Sequence, residues 1–261
     1  MANYSPEKIT VALTTFNRWL FTEQCLASLY RFTDPKVEII VMDNGSTDGS
    51  IDKILKFVAE QKQKLNLTFV DNKENLGIAR AVNLAFERGS GDLLIKLDND
   101  IVLRQGWVFY LWQVYKYFGK KFATCCLEIR SLEDKPLIPR SETKGRVEKI
   151  GNILFEHTPV VNGAVMAVSR DYWSKNKFPD DRIYGHEDAR LAVRAYHSGF
   201  VCGQLRSHNT GAIHLQREDL YRQYDLWKLN ILHGKPYNFK QDVYCIPQEQ
   251  GAIIEVKKKS K

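Results

Sequence analysis

No stretch of this 261-residue chain approaches the ~18 consecutive apolar residues that a membrane-crossing helix requires. Cysteine is sparse: the five thiols (Cys25, Cys125, Cys126, Cys202 and Cys245) are odd in number, scattered, and include no CxxC pair. That pattern excludes a disulfide scaffold and a thiolate zinc site, and it is the pattern of reduced thiols in a cytoplasmic protein. The opening MANYSPEKITVALTT has no basic segment followed by an apolar one, so it reads as a short tail entering a strand. Two nucleotide fingerprints are also missing. TTFNRW after the first apolar run is not GxGxxG, which argues against a dinucleotide-binding dehydrogenase, and there is no GxxxxGK[ST] of a P-loop kinase. A sugar nucleotidyltransferase would carry a glycine-rich loop at the same place, and none is there.

What is present is an ordinary globular composition, 44% hydrophobic and 26% charged, on a chain long enough for one good core. The net charge of +7 owes much to Lys257, Lys258, Lys259 and Lys261 in a terminal tail. Such a tail is usually solvated; its functional reading is a loose attraction to anionic lipid or to nucleic acid.

Apolar runs at 9–15, 37–43, 67–72 and 92–98 have strand length and are rich in Val, Ile and Leu. Helix-like stretches at 18–31, 48–63 and 76–88 lie between them, the second with Asp48 as N-cap and Ile51, Ile54, Leu55 and Val58 at helical spacing. This alternation predicts βαβ units and a mostly parallel central sheet flanked by helices. After residue 100 the rhythm changes. An aromatic-rich helix is expected over 104–118, with Trp107, Phe109, Tyr110, Trp112, Tyr115, Tyr117 and Phe118 packing on the sheet. A strand is expected over 122–130, a mobile loop or hairpin over 131–150, and a strand over 160–168. A helix at 187–198, a strand-like stretch at 200–215 and a closing helix near 217–232 complete the reading.

In such a sheet ligands bind at the carboxyl ends of the strands, and the polar residues gather there. Asp98-Asn99-Asp100 ends one apolar run. Two carboxylates one residue apart at a strand end can turn toward one hard cation, Mn²⁺ or Mg²⁺, which then neutralises charge developing on a diphosphate leaving group. Taken alone the tripeptide is more often an Asx-rich turn. Asp43-Asn44-Gly45-Ser46 ends a second run, with Asp43 placed to accept hydrogen bonds from a base or ribose. Asn75-Leu76-Gly77-Ile78-Ala79-Arg80 opens a further helix, with Arg80 a candidate phosphate contact.

The ordered set TTFNR, DNGSTDGS, NLGIARAVNLAF, LDND, VNGAVMAVSR and GHEDARLAVRA resembles the family 2 glycosyltransferases over residues 8 to 216. The resemblance implies the single-domain A-type glycosyltransferase fold, a nucleotide-diphosphate-sugar donor, UDP by family habit, a divalent metal, and inversion at the anomeric carbon. Residues 1–216 would form the catalytic domain, with a donor half to about 103 and an acceptor half from 104. A C-terminal helix and extension (217–250) and the basic tail (251–261) would follow. By position, Thr14, Asn17 and Asp43 match the nucleoside contacts, and Thr15, Arg18 and Asn44 count among the donor contacts. Asn75, Gly77, Arg80, Asp98 and Asn99 complete the donor contacts, and Asn162 and Gly163 lie beside donor sugar and acceptor. Asp98, Asp100 and His214 match the metal site, Asp100 as the direct ligand. Asp188 matches the base and Glu187 its orienting neighbour, although acidic residues in a helix's first turn also serve its dipole. His186 and His208 compete with His214, and Arg190 stands where many relatives have a second Asp. The acceptor is expected to be a glycan or lipid-linked saccharide. A hydroxylated base of DNA, which would have to be flipped out of the stack, is the alternative, and a non-catalytic binding module is the rival of another class.

Overall fold

Short apolar runs rich in branched residues become strands because their side chains alternate between two buried faces. The computed structural model describes residues 4–61, 64–138, 140–181, 185–206 and 211–215. The strands are β1 (Ile9–Thr15), β2 (Glu38–Asp43), β3 (Asn66–Asp71), β4 (Leu93–Asp98), β5 (Ile101–Val102) and β6 (Phe122–Cys126). They continue with β7 (Ile129–Arg130), β8 (Arg146–Ile150), β9 (Ile153–His157), β10 (Val165–Ser169), β11 (Val201–Leu205) and β12 (Ala212–His214). The helices are α1 (Trp19–Phe32), α2 (Ser50–Gln61), α3 (Ile78–Arg88), α4 (Trp107–Phe118), α5 (Arg140–Thr143), α6 (Arg170–Trp173) and α7 (Glu187–His197).

Nine strands form one sheet in the order β3-β2-β1-β4-β10-β6-β11-β9-β8. The β3-β2-β1-β4 half is parallel throughout, as the βαβ rhythm requires. The other half is mixed: β10 runs antiparallel to both β4 and β6, and β9 antiparallel to both β11 and β8. Alternation along β4 sets the layers. Leu93, Ile95 and Leu97 face a core with α1, α2 and α4, and Leu94 faces the core of α3, α6 and α7. Adjacent Cys125 and Cys126 divide between these two cores as strand geometry demands. Each fully buried aliphatic side chain contributes about 1.5–3 kcal/mol.

The expected strand at 122–130 is two strands in different sheets, and so is the stretch at 200–215: β7 and β12 join β5 in a separate three-stranded sheet. The segment 131–150 holds α5 and β8, and β8 pairs with a strand, β9, that the sequence reading did not predict. The closing helix and the basic tail lie outside the described residues. Among the described residues no helix is long and apolar enough to cross a membrane.

Candidate active site

The parallel strands β1, β2 and β4 end side by side, with Thr14 paired to Asp98 and Thr15 to Asp43 across the ladder. A cleft opens over these ends, lined by Thr14, Thr15, Arg18, Asn44, Asp98 and Asp100 among others, with His214 at one wall. His214 arrives there because β12 pairs with β5, setting it opposite Ile101 just after the acidic motif. The Leu215 N–H donating to the Asp100 carbonyl (2.9 Å) fixes the approach.

Asp100 is buried, and its Oδ2 lies 3.0 Å from Arg18 Nη2 and 3.7 Å from His214 Nε2. Burial alone would raise its pKa, but His214 and Arg18 outweigh it and hold the carboxyl down at about 2. Asp98 sits differently. Burial pushes its carboxyl up to about 7, with Lys96, 2.7 Å away, opposing the rise and Asp100 and Glu187 adding to it. Arg18 is brought in by a sharp turn in which Asn17 (φ 54°) and Arg18 (φ 64°) are both left-handed, an uncommon state for non-glycine residues and one that clusters at functional sites. Two clamps hold that turn: the Asn17 N–H donates to Ser46 Oγ (2.6 Å), and Asn17 Oδ1 accepts from the Thr47 N–H (2.8 Å).

Several residues read from the sequence as ligand contacts are occupied in building the cleft. Asp43 is fully buried, and its carboxylate accepts from Thr15 Oγ1 (2.8 Å), the Ser46 N–H (2.7 Å) and Ser46 Oγ (2.6 Å). Asn44 accepts from Asn72 Nδ2 (2.9 Å) and donates to the Gly77 carbonyl (3.3 Å), while Asn99 donates to Thr22 Oγ1 (2.9 Å). Asn75 Oδ1 accepts from the Gly77 N–H (3.0 Å), a local turn at the start of α3. Arg80 is exposed on α3 and is not among the cleft's lining residues.

The acidic pair opens α7, its two carboxylates favoured there by the helix dipole. Asp188 Oδ2 accepts from the Gly163 N–H (2.9 Å) and Oδ1 from the Ala189 N–H (2.7 Å). Only glycine fits at 163, since a Cβ there would stand 2.0 Å from Asp188 Oδ2. Asn162 shapes the same turn by accepting from the Ala164 N–H (3.1 Å). The turn is tied in its turn to the acidic motif, because the Asp98 N–H donates to the Ala164 carbonyl (2.9 Å). His186 is exposed at the N-cap of α7, Arg190 pairs with Asp181, and His208 lies outside the described residues.

Sequence reasoning passed over Lys96. It is 1% exposed and stands in a strand that is otherwise apolar up to its terminal Asp98, where a single lysine (DLLIKLD) was the available signal. Its ammonium bridges Asp98 and the carbonyl of Gly163 and lies 3.7 Å from Glu187 Oε1.

A divalent metal fits this donor set as an open site. Among the described residues no three His, Cys, Asp or Glu side chains gather into a closed cage. Asp100, held ionised, and His214 share the cleft wall, and hard cations in nucleotide sites usually take one or two protein ligands and leave the rest to phosphate oxygens.

A mixed central sheet flanked by helices, with a cleft over the ends of its parallel strands, is the A-type glycosyltransferase fold. The model of "Glycosyl transferase family 2" matches residues 10–175, and the chain belongs to that family. A poly-β-1,6-N-acetyl-D-glucosamine synthase of Staphylococcus aureus (strain COL) is 26% identical over 232 residues, covering 81% of this chain and 53% of the relative. The chain thus spans about half the length of the curated relatives it matches. Among solved structures, the mannosyltransferase PcManGT from Pyrobaculum calidifontis in complex with GDP-Man and Mn²⁺ superposes with a TM-score of 0.64 at 19% identity, over 86% of this chain and 61% of that one. S. aureus TarS 1-349 in complex with UDP-GlcNAc gives 0.62 at 18% identity, over 90% and 68%.

Proposed function

We propose that this chain transfers a sugar, with inversion, from a UDP-linked donor to a hydroxyl of a glycan or lipid-linked saccharide. The observation that carries the proposal is the Gly163 turn. One face of it is bonded to Asp98 beside the donor cleft, and its N–H holds Asp188. A donor bound across the cleft and an acceptor activated by Asp188 would therefore meet at that turn.

Thr14, Arg18, Asn44, Asn99 and Asp100 all line the cleft in which the donor would lie. Asp100 and His214, with Asp98 adjoining, would hold Mn²⁺ or Mg²⁺, which when bound neutralises charge on the departing diphosphate. Asp188 takes the acceptor's hydroxyl proton as that oxygen bonds to the anomeric carbon from the face opposite the diphosphate. The bond from the anomeric carbon to the diphosphate oxygen breaks, its electron pair leaving with that oxygen. The two N–H bonds to Asp188 leave each carboxylate oxygen a further lone pair to accept the proton. Glu187, buried next to it, orients the donor sugar. The four described cysteines are free and buried, which suits the reducing cytoplasm.

The donor and metal are supported by the ligands of the fold relatives, UDP-GlcNAc in one and GDP-Man with Mn²⁺ in the other. A glycan acceptor is supported by the polysaccharide synthase among the sequence relatives. The test is hydrolysis, or transfer to an added glycan, of α-linked sugar nucleotides with Mn²⁺, followed by proton NMR. The first product should be the β-anomer. An α-anomer would overturn inversion, and binding with no turnover on any acceptor would favour a non-catalytic module.

A further inference from the structure

We infer that Lys96 is a positioning residue of the transfer reaction, a buried ammonium that sets the acidic motif and the acidic pair in register before substrate arrives. The inference rests on the function proposed above. The observations concern one nitrogen. Lys96 Nζ donates to Asp98 Oδ1 (2.7 Å) and to the Gly163 carbonyl (3.0 Å), and lies 3.7 Å from Glu187 Oε1. An ammonium has three protons to donate; two go to these oxygens, and the Glu187 carboxylate stands at ion-pair distance from the nitrogen. The three partners come from three separate segments: the end of β4, the turn before β10 and the first turn of α7.

The Gly163 peptide is the centre of this arrangement. Its carbonyl is drawn to Lys96 while its N–H donates to Asp188 Oδ2 (2.9 Å), so the lysine fixes the peptide plane that aims the base. The side chain has no other evident purpose. Lys96 projects from β4 toward the core of Met42, Met166 and Leu191, where an apolar residue would pack without the cost of burying a charge. A lysine there instead supplies the positive charge that lets Asp98 and Glu187 sit close together. Gross folding could be served by an apolar side chain; alignment of two carboxylate-bearing segments could not.

Lys96 acts through Asp98, Gly163 and Glu187 and is not assigned contact with the reacting atoms. Its loss should therefore cost turnover more than donor affinity. The test uses the full chain with UDP-GlcNAc and Mn²⁺, and GDP-mannose in parallel, reading nucleoside diphosphate release with water as acceptor and nucleotide affinity by calorimetry. K96M should lower kcat at least about 30-fold while donor KM and the calorimetric Kd move less than about 3-fold, an effect of the size expected when reacting groups are misplaced by a fraction of an ångström. K96Q, which can still hydrogen-bond Gly163 but carries no charge, should fall with K96M, and K96R should recover part of the loss. If K96M does not fold by circular dichroism, K96Q and K96R decide the matter. Wild-type kcat in K96Q, or loss of affinity in step with kcat, would overturn the inference. Absence of turnover in the wild-type chain with every donor would instead sink the proposed function on which it rests.

Discussion

The two halves of the sheet reach order by different means. In the β3-β2-β1-β4 half, parallel strands end in tight polar turns, and the cleft is shaped by backbone N–H groups donating to side chains, such as Ser46 to Asp43 and Thr47 to Asn17. In the β6-β11-β9-β8 half and the three-stranded sheet, ion pairs between side chains do the corresponding work. Arg206 pairs with Glu156 (2.6 Å) and Glu128 (3.6 Å), Arg130 bridges Glu128 (2.6 Å) and Asp134 (2.8 Å), and Arg104 closes on Asp134 (2.7 Å). Glu156, fully buried, also accepts from Thr143 Oγ1 and the Gly145 N–H, pinning the segment before β8. A nucleotide presents the same diphosphate whatever the acceptor, so backbone turns suffice to frame it. An irregular half with no helical rhythm needs specific charge pairs to have one shape.

Substitutions should separate the halves, and the greatest effect is expected at the base. D188N should lower turnover roughly 10³-fold or more while leaving Mn²⁺-dependent nucleotide affinity near that of wild type, since a base acts only in the chemical step. Equal losses in kcat and affinity would erase the distinction between the donor half and the base. G163A comes next. The added methyl must displace Asp188, and turnover should drop about 100-fold with nucleotide affinity intact. R206M tests the other half by leaving Glu156 buried without its ionic partner, which should cost about 3–5 kcal/mol in thermal or urea unfolding. Donor affinity per folded molecule should not change; a proportional loss would mean that the halves are one cooperative site.

A smaller effect comes from pH. Asp100 is held at about 2 in the folded state, below its ordinary 3.8. Between those values the unfolded chain binds more protons, so this carboxylate's contribution to stability is present above about pH 4 and is lost as pH falls toward 2. D100N should remove that part of the acid-unfolding slope. R80A should change nothing measurable in donor affinity, because the side chain is exposed and outside the cleft.

The same contrast governs what could be read from the residues alone. The four strands of the first half were legible because each is a continuous apolar run closed by Asp, Thr or Asn, and the cleft stands where those runs end. Thr14, Arg18, Asp98, Asp100 and His214 come together there. The second half was read poorly. Strand β9, ILFEH, holds a buried Glu156 that breaks any apolar pattern, and its partner Arg206 lies 50 residues on. Spacing carries no trace of such a pair. The runs 122–130 and 200–215 each looked continuous, and only tertiary pairing divides them between two sheets. Lys96 was overlooked for a related reason, since its partners at 163 and 187 are distant in sequence.

The most direct test of the account is a thermal-shift titration of UDP-GlcNAc and GDP-mannose against the full chain and D100N, each with and without Mn²⁺. Ligand binding to the folded state raises the melting temperature by mass action. A rise that requires both nucleotide sugar and Mn²⁺ in the wild-type chain, and that is lost in D100N, is the predicted result. A shift of equal size without the metal, or undiminished in D100N, would contradict an acidic motif that binds the donor through a divalent cation.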